Sequence, residues 1–320
     1  MLSLRGRHGH DLSRLTLDQQ RPTAMEWRDA RHVVVGIARG SLWLLDLEQM
    51  TKTEETAPSG AGSTGVRALA LHGSTLAVLR DSGALELRDS QNLQPLPDGP
   101  SSALAAIDAS SIAWHPRGER LLLGDVLGAL HVVNVATGEF LLTLPGAHDA
   151  ASGLVAWHPT GRLLASSSAQ GRPQLRRAAD GALMAELDID AAGVSALSFL
   201  PSADALVTSG NDATVRFWDA SNGTLTAAMK AHREPVGDLQ VNAEGEFIVT
   251  ASADFSVRVW NSYLARQFLA LPADRPVLDA VLSPDRNRVA ASTGGSVIVW
   301  LADSRRQQAR IDAVGATPQA

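Results

Sequence analysis

The chain of 320 residues contains no cysteine. Disulfides, thiolate catalysis, iron–sulfur clusters and zinc–cysteine sites are therefore excluded. Lysine is almost missing as well. Lys52 and Lys230 are the only two, so nearly all the basic charge is arginine. With its abundant alanine, this bias reads as the base composition of a GC-rich bacterial genome rather than as arginine-mediated recognition. No apolar run approaches the roughly 20 residues of a membrane-spanning helix. The opening "MLSLRGRHGHDLSRLTL" lacks the apolar stretch of a secretory signal. A cytoplasmic protein with no membrane partner is expected. Positive charge is not in excess either: the formal net charge is -6, so no field gathers phosphates and no direct nucleic-acid binding is expected. Motifs of the GxxxxGK, GxGxxG, HExxH and GxSxG kinds are absent.

What the chain does have is a repeat. Trp27, Leu71, Trp114, Trp157, Phe199, Val241 and Leu282 follow one another at intervals of 41 to 44 residues, and all are large and apolar. Turn signals follow the last five: "HPRG", "HPTG", "LPSAD", "NAEG" and "SPDR". A second ladder runs in phase with the first, as "SLWLLD", "ALELRD", "ALHVVN", "PQLRRA", "TVRFWD", "SVRVWN" and "SVIVWL". Each unit contains short runs with alternating or β-branched residues, bounded by Gly, Pro, Asp and Asn. The sixth unit reads as four strands: "VGDLQVN", "FIVTASA", "SVRVWN" and "ARQFLAL". One such sheet cannot bury both faces alone, so neighbouring units must stack.

A period of about 40–45 residues with four strands per unit is the pattern of propeller blades. On "VRFWD" and "VRVWN" the chain resembles the WD-repeat β-propeller proteins. The resemblance covers roughly residues 20–302. It implies an all-β fold, a seven-bladed propeller of four-stranded antiparallel blades, in one domain over residues 1–312. It also implies that residues 11–18, with "LSRLTL" at Leu12–Leu17, supply the outer strand of the last blade. "RRQQARI" at Arg305–Ile311 competes for that place, and residues 313–320 read as a disordered tail. "LSLR" at Leu2–Arg5 resembles a strand end one period early, so an incomplete eighth blade is the alternative.

The resemblance further implies a buried hydrogen-bonded chain in the sixth unit, from His232 through Thr250 or Ser252 to Asp254 and Trp260. A buried indole N–H needs an acceptor, and a hydroxyl accepts from it while passing a proton onward. The fifth unit keeps Asp212 and Trp218, with Asp190 in the histidine slot. The fourth keeps His148 but loses the aspartate and the tryptophan. A hydrolase triad is not expected, because the hydroxyl is engaged by the indole.

His72, His115 and His158 share one slot in three consecutive units. Zinc needs nitrogens at about 2.0–2.1 Å, whereas stacked sheets place equivalent atoms about 10 Å apart. No Asp or Glu shares the slot. These histidines therefore read as polar residues before a turn, and neither a metal nor another cofactor is expected. Loops on one face carry Arg21, Arg39, Arg172, Asn211, Arg233, Phe255 and Arg275, residue types suited to protein recognition. The expected function is a non-enzymatic scaffold that binds proteins or peptides, as a subunit of a larger bacterial complex. The competing reading is a ligand- or metal-binding propeller, or an enzyme, with its site at the central channel. That reading needs convergent carboxylates or histidines on the innermost strands, and no repeated acid is expected there.

Overall fold

The structure, a computed structural model, describes residues 2–5, 11–16, 20–49, 51–55, 64–96, 107–168, 171–189, 193–201, 204–263 and 266–302. Two strands come first, β1 (Leu2–Arg5) and β2 (Asp11–Thr16). Blade one is β3 (Pro22–Trp27), β4 (His32–Ile37), β5 (Leu42–Asp46) and β6 (Thr51–Glu55). Blade two has β7 (Val66–His72), β8 (Thr75–Arg80) and β9 (Leu85–Asp89), and its outer position begins with a bridge between Arg88 and Pro95. Blade three is β10 (Ala109–Trp114), β11 (Arg120–Asp125), β12 (Leu130–Asn134) and β13 (Phe140–Leu144). Blade four is β14 (Leu154–Trp157), β15 (Leu163–Ser167), β16 (Gln174–Arg177) and β17 (Leu183–Glu186).

Blade five is β18 (Val194–Leu200), β19 (Ala205–Gly210), β20 (Thr214–Asp219) and β21 (Leu225–Lys230). Blade six is β22 (Val236–Val241), β23 (Phe247–Ser252), β24 (Ser256–Asn261) and β25 (Arg266–Pro272). Blade seven is β26 (Asp279–Leu282), β27 (Arg288–Thr293) and β28 (Ser296–Leu301), with β2 paired to β28 and β1 paired to β2. The leading strands touch in sequence, and β26 returns to β3, so the ring is closed. This is a seven-bladed β-propeller. β1 does not begin an eighth blade; it lengthens the seventh sheet to five strands. Arg305–Ile311 and residues 313–320 lie outside the described residues, as does most of the loop before blade two.

Burial follows position in the blade. Each second strand is buried on both faces, because a neighbouring blade covers each side, so "TLAVLR", "RLLLGD" and "FIVTAS" read as continuous buried runs. The outer strands β13, β17 and β21 are mostly exposed. The apolar clusters lie between blades: Val33 and Trp43 of blade one pack with Ala290 and Val297 of blade seven. The register corrects one alignment. Leu164 faces Arg176, as Ile248 faces Trp260, so Arg176 holds the tryptophan position of blade four.

A bulge recurs at the second residue of β3, β7, β10, β18 and β22. Bulges re-aim the extra residue. Here Thr23, Arg67, Ser110 and Ser195 turn across the seam and donate to the carbonyls of Val66, Ala109, Ser152 and Val236 in the next blade.

Candidate functional site

Blade six carries a continuous buried chain. Trp260 Nε1–H donates to Thr250 Oγ1 at 2.9 Å, and the Thr250 hydroxyl lies 2.7 Å from His232 Nε2. His232 Nδ1–H then meets Asp254 Oδ2 at 3.0 Å. Burial pulls the imidazole down in pKa, and the Asp254 charge opposes that shift. Burial pushes the Asp254 carboxyl up, but the Ser256 hydroxyl, the Arg233 N–H and His232 outweigh it and hold it below the usual range. Of the two hydroxyls considered, Thr250 is the node. Ser252 Oγ instead donates to Pro235 O at 2.9 Å and accepts from the Asp254 N–H at 3.1 Å.

Blade five keeps half of this chain. Trp218 Nε1–H donates to Thr208 Oγ1 at 2.9 Å, while Asp212 turns to Arg216 at 2.6 Å. Asp190 lies outside the described residues. In blade four His148 Nε2 meets Ser166 Oγ at 2.9 Å; residue 170, at the place of Asp254, lies outside the described residues.

His72, His115 and His158 do not converge. Each sits against the leading-strand aromatic of the following blade: His72 on Trp114, His115 on Trp157 and His158 on Phe199, with ring centroids 5.9, 4.7 and 5.0 Å apart. His72 and His115 also cover Gly118 and Gly161, whose φ values of 72° and 71° suit glycine and where a Cβ would strike the imidazole. Burial pulls His115 and His158 down in pKa. An acid does approach one of them: Asp204 Oδ1 lies 3.1 Å from His158 Nε2. Among the described residues no group of three or more His, Asp or Glu is placed to hold a metal ion.

Arg21, Arg233 and Arg275 lie in the segments leading into blades one, six and seven. Arg39, Arg172, Asn211 and Phe255 lie in the turns between second and third strands. Alternating strand directions put both kinds of loop on one side of the ring, and all seven residues are exposed. The loops are tied together. The Ala38 N–H donates to Arg21 O at 3.0 Å, and the Arg233 N–H donates to Asp254 Oδ2 at 3.1 Å.

Residues 183–219 and 223–261 match the family described as WD domain, G-beta repeat. The fold is a seven-bladed β-propeller, and the matched repeats within it are of the WD type. A chain in the crystal structure of the mitotic checkpoint complex superposes with a TM-score of 0.77 at 20% identity, covering 94% of this chain and 93% of that one. The fold is shared by 1913 matching chains of solved structures, so it does not by itself name a partner. No curated protein sequence matches the chain.

The innermost strands of the propeller hold acids that the sequence reading did not expect. Asp238 and Asp279 occupy equivalent places in blades six and seven, three residues before Val241 and Leu282. Asp238 Oδ2 accepts the Ala280 N–H at 3.3 Å, and Asp279 Oδ2 accepts the Met25 N–H at 2.8 Å. Glu26 follows Met25 on β3. Burial, then repulsion from Asp238, pushes the Glu26 carboxyl up to about 8. Burial likewise raises Asp238 and Asp279, and Asp238 adds to the shift of Asp279. The aligned repeats contained the signal for the aspartates. They contained none for Glu26, which stands at a different place in its strand.

Proposed function

We propose that the propeller is a non-enzymatic scaffold whose loop face docks a protein or peptide, as a subunit of a larger complex in the bacterial cytoplasm. One observation carries the reading. Exposed arginines and Phe255, 48% exposed, stand on loops fastened to a rigid buried network. The similar structure comes from a multi-protein complex, which supports the same reading. Affinity purification from the native organism tests it. A stoichiometric protein partner is expected, retained less well by Arg233→Glu and Phe255→Ala. Recovery of no such partner would overturn the scaffold reading.

The meeting of Glu26, Asp238 and Asp279 favours the second reading, a site at the central channel. Against it, both aspartates already accept backbone N–H groups from the next blade. Metal analysis of the purified protein separates the two. A stoichiometric divalent metal, lost in Asp279→Asn, would favour the channel.

A further inference from the structure

Among the described residues, four that are not glycine hold a left-handed backbone: Leu93, Ala213, Phe255 and Arg286, with φ between 61° and 64°. A bulky side chain is strained there. Three of the four have a visible compensation. Leu93 and Ala213 are 3% exposed, and the Arg286 guanidinium meets Glu246 at 2.7 Å. Phe255 has neither. It is 48% exposed and belongs to neither of the apolar clusters that flank blade six.

The turn, and not the side chain, sets this backbone. Phe255 is the third residue of the turn between β23 and β24. The same place holds Gly40, Gly83 and Gly128 in blades one to three, with φ of 95°, 81° and 86°. Phe255 O receives the Ala273 N–H at 2.8 Å, as Ala213 O receives the Ala231 N–H at 2.9 Å in blade five.

Two loops bracket the turn. On one side the Arg233 N–H donates to Asp254 Oδ2 at 3.1 Å, and the Ala253 N–H to Pro235 O at 3.2 Å. On the other, the Val277 N–H donates to Ser252 O at 3.1 Å. The loops run Arg233–Glu234–Pro235 and Asp274–Arg275–Pro276, and all six residues are exposed. Neither guanidinium has an ion pair among the described residues, so each can take an acceptor from outside. Glu234 and Asp274 stand beside them in sequence, so the rim is of mixed sign and not a basic patch. That balance disfavours an anionic lipid surface and favours a protein, whose carboxylates are placed one by one.

Strain kept around an exposed side chain points to a use outside the fold. We infer that Phe255 is the anchor of the loop face: its ring enters an apolar pocket on a protein partner, and carboxylates at the rim of that pocket receive Arg233 and Arg275. The inference rests on the scaffold reading and names the chemistry of the partner. The bonded turn presents the ring already ordered, which spares part of the entropy lost on binding.

Two measurements test it. The first needs no partner. Phe255→Gly removes the strain, so its urea midpoint should equal or exceed that of the wild type. A lower midpoint would show that the ring serves the fold, and overturns the inference. The second uses the full chain with p-benzoylphenylalanine at position 255, photolysed in cells of the native organism. One cross-linked protein is expected. With that protein purified, binding should be at least about tenfold weaker for Phe255→Gly, several-fold weaker for Arg275→Ala and little changed for Phe255→Trp. Equal binding by Phe255→Gly overturns the inference. So does cross-linking to no protein or only to a second copy of this chain; phosphatidylglycerol vesicles that then bind the chain would assign the ring to a membrane. A partner recovered by affinity purification and retained in full by Phe255→Gly sinks the anchor and leaves the scaffold. Absence of a partner in both experiments sinks the scaffold reading and the inference with it.

Discussion

At the scale of the residue, Thr250 decides whether the sixth blade's polar chain is an asset or a burden. Its hydroxyl touches both the indole and the imidazole, and Thr250 is fully buried. Thr250→Val keeps the shape but leaves a donor and an acceptor unpaired, at a cost of about 3 kcal/mol. Ser166→Ala in blade four breaks a single contact and should cost about 1 kcal/mol. Trp260→Ala also empties a large volume between sheets and should cost about 3–5 kcal/mol. Urea midpoints of the three variants give the order; equal values would mean that Thr250 is not a shared node. His232, Asp254 and Trp260 were legible through the resemblance to the family pattern, which left Thr250 and Ser252 as alternatives. That Arg176 holds the tryptophan place of blade four was not legible, because it required the strand register.

At the scale of the element, the leading strands do more than line a channel. Their bulged residues clip one blade to the next. Thr23, Arg67, Ser110 and Ser195 serve four seams, and Asp238 and Asp279 serve the two that end at blades seven and one. Blade four has Gly153 at the clip position, so that position offers no side chain to the seam with blade five. Ser110→Ala removes one neutral bond and should lower stability by about 1 kcal/mol, read from denaturant unfolding. Periodicity disclosed the strands, because central strands buried on both faces give unbroken apolar runs. It could not disclose the clips, since a bulge changes which way a residue points without changing the residue.

At the scale of the whole molecule, ring closure brings Glu26, Asp238 and Asp279 together from the two ends of the repeat array. That is why no local pattern announced them. Glu26 holds its proton up to about 8 when folded, against an ordinary carboxyl value of about 4.5. Its contribution to stability is therefore full below about 4.5 and is lost as the pH rises through about 8. Glu26→Gln has no proton to lose. The melting temperature of the variant relative to the wild type should climb across that window, and a constant difference would show that Glu26 does not titrate there. Removal of residues 1–18 takes away β1 and β2 and bares the edge of β28. A lower melting temperature is expected, with self-association in light scattering.

The pairing of β2 with β28 also has a consequence in time. About 280 residues separate Thr16 from Ser296. At synthesis rates of about 5–20 residues per second, β2 leaves the ribosome roughly 15 to 60 s before its partner exists. Through that interval the hairpin of β1 and β2 has one edge unclaimed, while six blades assemble behind it. The nascent chain is thus exposed to chaperones and to its own copies at β1 and β2 until β28 is made and pairs with β2.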